Sequence, residues 1–247
     1  MNKKTNQLLK NIPDFSSNEV HIWLANFLEN NEYLDDFTSV LSEDEKQKAV
    51  NFRFLKDKKQ WIISRGILRN LLGMYLGLKP RDIEILYGLW GKPQLLDKIS
   101  LYFNVSHSRD YVVYALSPRS EVGIDLEYID LSLDTSVLLP NILSSPQELA
   151  YWQGVKEGEK IRAFFNLWVC KEAFLKTYGK GWLNKDHSVP ARVIDYLKGE
   201  KNKNSSKNKL NPYMFEPIPG YIASLFVKKS NKSIPLHYIW NSRRHCR

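Results

Sequence analysis

The sequence predicts an α+β protein built from two similar α/β halves that a pseudo-twofold axis relates. Two helical patterns precede strands in each half, and the two halves contain similar helix starts. In addition, residues 111–116 (YVVYAL) are echoed by residues 221–227 (YIASLFV). Helices and strands that follow each other in runs are typical of the α+β class. We place the two halves at residues 1–120 and 121–247.

The helices are predicted from their caps and their apolar periodicity. Ser42 and Glu45 form a capping box, so a helix is expected to begin there and to run to about Phe54. Apolar residues then recur at helical spacing over residues 61–75, and Gly77 is placed to end this second helix.

The strands of the first half are predicted from alternation and from short apolar runs. They are expected at residues 20–24, 83–89, 101–105 and 111–116, and the same signals predict a strand at residues 122–127 in the second half.

The second half begins its helices with a similar signal. Ser145 is a predicted N-cap that is followed by proline. A longer helix is predicted over about residues 161–178, and Lys171 falls inside its apolar stripe, where a lysine is costly unless it is paired or reaches solvent. The chain is expected to close with a strand at residues 221–227.

Composition limits the class of protein. The chain has 247 residues, of which 43% are hydrophobic, so it can bury a sizeable core. The two cysteines, Cys170 and Cys246, form no disulfide framework and fit a reducing compartment. No apolar stretch has the character of a signal peptide or a membrane span. We therefore predict a cytoplasmic protein without membrane contact. Internal duplication would build a cleft within one chain, so we expect a monomer.

A net charge of +9 indicates an anionic partner. Part of the excess comes from residues 198–209 (KGEKNKNSSKNK), which we predict to be a flexible loop. An alternative interpretation is that the protein is a basic module that binds nucleic acid. A steep salt dependence of duplex binding would support this alternative. We predict no nucleic-acid partner, because no nucleic-acid-binding motif is present.

An acidic pair stands at the middle of the chain, in residues 123–127 (GIDLE). Asp125 and Glu127 are two apart on a predicted strand, so both point to one face, roughly 7 Å apart. Two such carboxylates repel each other unless a cation lies between them or one is protonated. Carboxylate oxygens suit Mg²⁺. The alternative is the solvated acidic face of an edge strand.

Ser106, His107 and Asp125 suggest a hydrolase triad, which we disfavour. Adjacent residues on a strand point to opposite sides, so His107 is badly placed to act as a base for Ser106. Both side chains are better suited to bind phosphate oxygens than to form a catalytic triad. A histidine buried in the core remains an alternative.

Two helices carry charges at helical spacing. Glu172 and Lys176 are four residues apart, and a salt bridge beside the core is the simpler explanation for that pair. Arg65 and Lys48 belong to a strongly basic helical pair, for which a solubilising surface is the alternative.

Four motifs together resemble the Sfp-type 4′-phosphopantetheinyl transferases. They are residues 91–93 (GKP), 103–108 (FNVSHS), 123–127 (GIDLE) and 168–176 (WVCKEAFLK) followed by 179–181 (GKG). The resemblance covers about residues 42–227. The sequence at residues 65–69 (RGILR) and around Glu127 and Lys171 most resembles the sequences of the cyanobacterial branch, which is associated with heterocyst and polyketide or glycolipid synthesis.

The resemblance implies the fold of that family, two α/β halves with coenzyme A between them. It implies a holo-[acyl-carrier-protein] synthase, which transfers 4′-phosphopantetheine from coenzyme A to a serine of an apo carrier protein and releases adenosine 3′,5′-bisphosphate. Carrier proteins are generally acidic, which fits the charge of +9. The alternative is a Mg²⁺-dependent phosphohydrolase that acts on coenzyme A or a nucleotide.

The resemblance also implies roles for single residues. Mg²⁺, or Mn²⁺ in its place, would be held by Asp125, Glu127 and Glu172. Coenzyme A would be contacted by Lys48, Arg65, Lys92, Ser106, His107 and Lys176. Glu172, or a metal-bound water that Glu127 polarises, would accept the serine proton, and Lys176 would neutralise the leaving bisphosphate. Arg109 stands where family members often have glycine.

Overall fold

The computed structural model describes residues 19–96, 99–179, 188–199, 212–228 and 234–242. Within these ranges the strands are β1 (Glu19–Asn26), β2 (Leu86–Tyr87), β3 (Pro93–Gln94), β4 (Tyr102–Ser108), β5 (Tyr111–Ser117), β6 (Val122–Tyr128), β7 (Tyr213–Phe215), β8 (Tyr221–Val227) and β9 (Ile234–Ile239). The α-helices are α1 (Leu34–Val40), α2 (Glu43–Val50), α3 (Leu55–Leu76), α4 (Leu139–Ile142), α5 (Pro146–Gln153), α6 (Lys160–Thr177) and α7 (Ala191–Leu197). Short 3-10 helices are found at Asn31–Tyr33, Pro80–Asp82, Thr135–Val137 and Glu157–Glu159.

The predicted α+β class is confirmed, whereas the pseudo-twofold axis stays a prediction. Nearly all of the lysine-rich loop predicted at residues 198–209 lies outside the described residues, as do residues 180–181 of the glycine-containing motif after α6.

Two sheets form the centre of the protein. The first has the strand order β4-β5-β1-β9 and the second the order β6-β8-β7. Neighbouring strands are antiparallel except β1 and β9, which are parallel. An edge strand of each sheet, β4 in the first and β6 in the second, therefore carries one of the motifs singled out in the sequence.

The last strand corrects the expectation that the chain closes at residues 221–227. Residues Ile234–Ile239 form β9, which pairs with β1 from Glu19↔Ile234 to Leu24↔Ile239. β9 thus joins the sheet that contains β1, β4 and β5. The partner lies more than 200 residues away, so no local pattern indicates this pairing. The boundary at residue 120 itself stays a prediction.

Three apolar clusters separate the layers of the fold. The first, which includes Phe37, Leu71 and Tyr114, fills the space between α1–α3 and one face of the first sheet. The second lies between the two sheets and is built from alternate residues of β1, β5, β6 and β8. The third, which includes Phe164 and Phe226, lies between the second sheet and the helices of the C-terminal half. Because successive side chains of a strand point to opposite faces of its sheet, the strands contribute to an apolar cluster on each face.

The helix caps of the first half follow the sequence closely. Ser42 accepts a hydrogen bond from the backbone of Glu45, whose side chain in turn accepts one from the backbone of Ser42. α2 ends at Val50, before the expected Phe54. α3 ends at Gly77, whose φ of 67° is the left-handed conformation that glycine adopts freely. Among the described helices, none has both the length and the apolar character needed to cross a membrane.

The strand predicted at residues 83–89 is much shorter than expected. β2 covers only Leu86 and Tyr87, which pair with Gln94 and Pro93. Proline lacks the backbone N–H that a longer ladder would need, and the turn at Gly88 reverses the chain at once.

Gly123 allows α6 to lie directly on β6. A Cβ atom at this position would stand 2.1 Å from the backbone oxygen of Ala173 and 2.4 Å from the backbone nitrogen of Thr177. These are backbone atoms of the helix, so the contact cannot be relieved by turning a side chain. The glycine therefore fixes how closely α6 approaches the acidic strand.

Replacing Gly123 with alanine is expected to lower the free energy of unfolding by about 3 kcal/mol, because the added methyl group forces α6 away from β6. Urea denaturation measures this difference. Gly158→Ala is the matched control, since a Cβ atom there meets nothing within 4 Å. Equal stability of the two variants would show that the contact between α6 and β6 is loose.

Candidate active site

A cavity of about 420 Å³ lies where α3, β4, β6 and α6 meet. Its walls contain seven of the predicted site residues, namely Arg65, Ser106, His107, Asp125, Glu127, Glu172 and Lys176. The structure therefore brings together residues from positions 65 to 176 of the chain. Their chemical roles stay predictions.

Asp125 lies deep in this cavity and is only 2% exposed. Its Oδ1 atom accepts hydrogen bonds from Lys176 Nζ at 2.6 Å and from Ser106 Oγ at 2.7 Å. Its Oδ2 atom is buried and has no hydrogen-bond partner within the described residues. A buried carboxylate oxygen is costly to leave unpaired, so this atom is available to a ligand.

Glu127 lies two residues further along the same face of β6. Ser108 Oγ donates to its Oε2 at 2.8 Å, and Trp168 Nε1 donates to its Oε1 at 3.3 Å. Burial, and then the negative charge of Asp125, raise the pKa of Glu127 to about 7. The two carboxylates are thus close enough to affect each other, as the sequence spacing predicted.

Lys176 and Glu172 reach the cavity from α6, one helical turn apart. Lys176 Nζ is 3.9 Å from Glu172 Oε2 and 3.1 Å from Ser106 Oγ. Burial alone would lower the pKa of Lys176, but the carboxylates of Asp125, Glu172 and Glu127 outweigh it and raise the pKa above its usual value. The lysine is therefore held as a cation among three carboxylates.

Ser106 and His107 point to opposite sides of β4, as expected for adjacent strand residues. Ser106 is buried and bonds to Asp125, whereas His107 is exposed and meets the ring of Phe27 edge-on at a centroid distance of 6.3 Å. Partial burial and the nearby Lys176 charge lower the pKa of His107. This geometry excludes a serine nucleophile activated by the neighbouring histidine.

The end of the cavity at α3 is cationic and aromatic. The Arg65 guanidinium lies over the Trp61 ring at 4.6 Å, and Lys48 Nζ lies over the same ring at 4.4 Å. Arg65 is 7% exposed, and its Nη1 atom has no hydrogen-bond partner in the described part of the chain. Lys48 is exposed and is not part of the cavity wall itself. A buried guanidinium with an unused donor suits a phosphate oxygen.

Two family models match the chain. "4′-Phosphopantetheinyl transferase, N-terminal" matches residues 29–119, and "4′-phosphopantetheinyl transferase superfamily" matches residues 121–215. The 4′-phosphopantetheinyl transferase HetI of Nostoc sp. is 36% identical over 168 residues, which cover 67% of this chain and 70% of HetI. The chain belongs to the 4′-phosphopantetheinyl transferase superfamily. It is therefore a transferase, and the resemblance inferred from four short motifs is confirmed.

Other relatives agree with this family assignment. A second cyanobacterial protein, from Synechocystis sp., is 34% identical over 147 residues, which cover 59% of each chain. The 4′-phosphopantetheinyl transferase gsp of Aneurinibacillus migulanus is 26% identical over 225 residues, 88% of this chain and 86% of the relative. The higher identity to the cyanobacterial proteins agrees with the branch that the motifs indicated.

In this transferase Lys92 lies apart from the other predicted coenzyme ligands. It lines a second cavity, of about 370 Å³, which also contains Glu121 and Gly179. Its Nζ atom donates to the backbone oxygens of Val122 at 3.0 Å and Thr177 at 3.2 Å. Burial lowers the pKa of Lys92 to about 8. The lysine thus joins the start of β6 to the end of α6, and its predicted phosphate contact stays a prediction.

Sequence reasoning missed Asn104 and Ser108, which help to hold the acidic strand, and it missed the hydrogen bond from the predicted site residue Ser106 to Asp125. Asn104, Ser106 and Ser108 alternate along β4, and each reaches β6: Asn104 Oδ1 accepts from Ile124 N at 2.8 Å, and Ser108 Oγ accepts from Tyr128 N at 3.1 Å. These side chains join the two sheets in place of a backbone ladder. Three small polar residues at a spacing of two were the signal that could have revealed them.

The family resemblance implies a divalent cation at this site. Three carboxylates supply hard oxygen ligands, and the buried Oδ2 atom of Asp125 has no protein partner in the described ranges, so the donor set fits Mg²⁺. Within the same ranges, no three His, Cys, Asp or Glu side chains converge closely enough to enclose a metal ion. In this arrangement the Lys176 ammonium bonds to Asp125 Oδ1 at 2.6 Å, and Ser108 Oγ bonds to Glu127 Oε2 at 2.8 Å.

Proposed function

We propose that this transferase moves 4′-phosphopantetheine from coenzyme A to a serine hydroxyl of an apo carrier protein and releases adenosine 3′,5′-bisphosphate. The observation that carries the proposal is one cavity whose walls contain Asp125, Glu127, Glu172 and Lys176 and also, from α3, Arg65. Phosphoryl transfer depends mainly on positioning and charge neutralisation, which such a set of charges supplies.

Coenzyme A would bind with its phosphates toward the cationic groups. The unused donor of Arg65 and the exposed ammonium of Lys48 are suited to the phosphate and adenine end of the coenzyme, since both lie on the Trp61 ring. Lys176 and His107 would contact the pyrophosphate.

Mg²⁺, or Mn²⁺ in its place, would be held by Asp125, Glu127 and Glu172. When bound, the ion would neutralise charge on the pyrophosphate. Residues of the chain itself would accept the proton and neutralise the leaving group. Glu172, which is partly exposed at the cavity wall, would accept the proton of the attacking serine. Lys176 would neutralise the charge that develops on the leaving bisphosphate.

The protein partner would be an acidic carrier protein. A net charge of +9 favours its electrostatic capture, which mainly raises the rate of association. Phosphohydrolysis of coenzyme A is not favoured, because the matching relatives are transferases. A monomeric state and a cytoplasmic location stay predictions.

Intact-mass spectrometry of an apo acyl carrier protein tests the proposal. The carrier is incubated with the wild-type protein, coenzyme A and Mg²⁺, and a mass gain of one phosphopantetheinyl group is expected. Asp125→Asn should lower the rate of this gain by about 10²–10³-fold, because it removes the charge that faces Lys176 and the predicted ion.

Asp82→Asn, a change of an exposed carboxylate, is the matched control and should transfer at the wild-type rate. Cleavage of coenzyme A without any mass gain on several unrelated carriers would replace the proposal with the hydrolase alternative. Intact coenzyme A after incubation with all of them would contradict both.

A further inference from the structure

Arg109 occupies a backbone conformation that arginine rarely adopts. It lies at the tip of the hairpin between β4 and β5 with a φ of 49°, and it is the one non-glycine residue with positive φ among those described. A long side chain in this left-handed region is disfavoured and persists only where its surroundings hold it. The surroundings of Arg109 therefore need an explanation.

Three contacts from two elements of the fold converge on Arg109. From α3, Gln60 Nε2 donates to its backbone oxygen at 2.7 Å. From the end of β6, the ring of Tyr128 lies 3.7 Å below its guanidinium carbon, and Asp130 Oδ2 accepts from its Nη2 at 2.7 Å. We call the contacts of Arg109 with Tyr128 and Asp130 the hairpin clasp.

The ion pair in the hairpin clasp contributes little by itself. Arg109 and Asp130 are 51% and 38% exposed, and exposed pairs contribute about 0–1 kcal/mol. The significant feature is that the clasp joins the two sheets at their seam, because the hairpin belongs to the first sheet and Tyr128 to the second. It therefore restricts how β4 and β6 lie beside each other.

The residue next to Arg109, Ser108, holds Glu127, one member of the acidic pair. Ser108 Oγ donates to Glu127 Oε2 at 2.8 Å and accepts from Tyr128 N at 3.1 Å. Any movement of the hairpin tip away from Tyr128 lengthens both bonds. Glu127 would then keep only the weaker contact with Trp168, at 3.3 Å.

We propose that Arg109 is a positioning residue whose clasp on Tyr128 and Asp130 holds Ser108 in place and so aims the Glu127 carboxylate into the cavity. The inference rests on the proposed function for the role of Glu127 and deepens it. The chain thereby gains a fixed hairpin in exchange for backbone strain at Arg109.

Arg109→Gly separates positioning from stability. Glycine adopts positive φ without strain, so the variant loses the clasp while its backbone relaxes. The melting temperature should stay the same or rise. The turnover number should nevertheless fall by about 10-fold, the usual size of an effect on a group that supports a metal ligand, while KM for coenzyme A stays unchanged.

Two further variants sharpen the comparison. Asp130→Asn removes the ion pair and leaves the Tyr128 stacking, so it should lower turnover less than Arg109→Gly does. Arg119→Gly removes the same charge from the exposed turn between β5 and β6 and should have wild-type turnover.

Amide hydrogen exchange supplies a readout that does not depend on activity. The Tyr128 amide bonds to Ser108, and the Ile124 amide bonds to Asn104 at the other end of the same seam. In Arg109→Gly, Tyr128 should lose its protection while Ile124 keeps it. Wild-type turnover with a protected Tyr128 amide would overturn the inference, and so would equal loss of protection at both amides. If the wild-type protein transfers nothing to any carrier, the proposed function fails, while the exchange data still decide whether the clasp holds Ser108.

Discussion

Replacing Lys171 with methionine is expected to lower the free energy of unfolding by about 3–5 kcal/mol, because it leaves a buried carboxylate without its cation. Lys171 and Glu148 are both 0% exposed, and Lys171 Nζ lies 2.9 Å from Glu148 Oε2. The same ammonium donates to Ser144 Oγ at 2.7 Å and to the backbone oxygen of Ile142. Denaturant unfolding monitored by circular dichroism measures the loss.

A double variant separates the lost charge from the lost packing. Glu148→Gln keeps a side-chain oxygen for the backbone N–H of Val189, which donates to Glu148 Oε1 at 3.0 Å, but removes the charge. Lys171→Met combined with Glu148→Gln should therefore be more stable than Lys171→Met alone. If the double variant is less stable than the single one, the amide group that replaces Glu148 Oε2, which accepts from the backbone N–H of Ser144 at 2.7 Å, costs more than the unpaired charge does. In either case the lysine that interrupts the apolar stripe of α6 supports the fold and lies outside the cavity.

Replacing Lys176 with glutamine is expected to lower the turnover number by about 10²–10³-fold. The ammonium lies 2.6 Å from Asp125 Oδ1 and 3.1 Å from Ser106 Oγ, where a pyrophosphate and a leaving bisphosphate would need a positive charge. The rate of carrier modification at saturating coenzyme A and carrier measures the change. Lys160→Gln makes the same chemical change on the same helix, beside Glu157, and should leave turnover unchanged.

Calorimetric titration with Mg²⁺ in the absence of coenzyme A adds a second test of Lys176. The lysine competes with a cation for Asp125, so Lys176→Gln should bind Mg²⁺ at least as tightly as the wild-type protein. A variant that loses Mg²⁺ affinity would show that Lys176 supports the ion site instead of competing with it. Turnover close to that of the wild type would remove Lys176 from the proposed mechanism.

Features that depend on neighbouring residues could be predicted from the sequence. The capping box of Ser42 and Glu45, the left-handed end of α3 at Gly77 and the shared face of Asp125 and Glu127 all follow from spacing within a few residues. The same is true of Ser106 and His107, whose opposite directions follow from strand geometry alone.

Features that depend on distant partners could not be predicted. Nothing near Lys171 indicates that its counter-ion is Glu148, 23 positions earlier, and nothing near Lys92 indicates that its ammonium meets the backbone oxygens at the ends of β6 and α6. Likewise, β9 has no local feature that selects β1 as its partner. Family resemblance supplied the predicted roles of the site residues but not these contacts, because a motif specifies residue types and their spacing and does not specify how distant segments pack.

The parallel pairing of β9 with β1 has a consequence for biosynthesis. β1 would be an edge strand without β9, and an unpaired edge next to buried residues such as Val20 and Ile22 invites association with other chains. The ribosome makes β9 only after all the other strands and helices that follow β1 in the described part of the chain. The first sheet therefore stays open while the strands of the second sheet are synthesised, and β9 can be added only afterwards. Completion of the first sheet thus depends on a segment that follows the second sheet in the chain, so the two sheets do not mature as independent units.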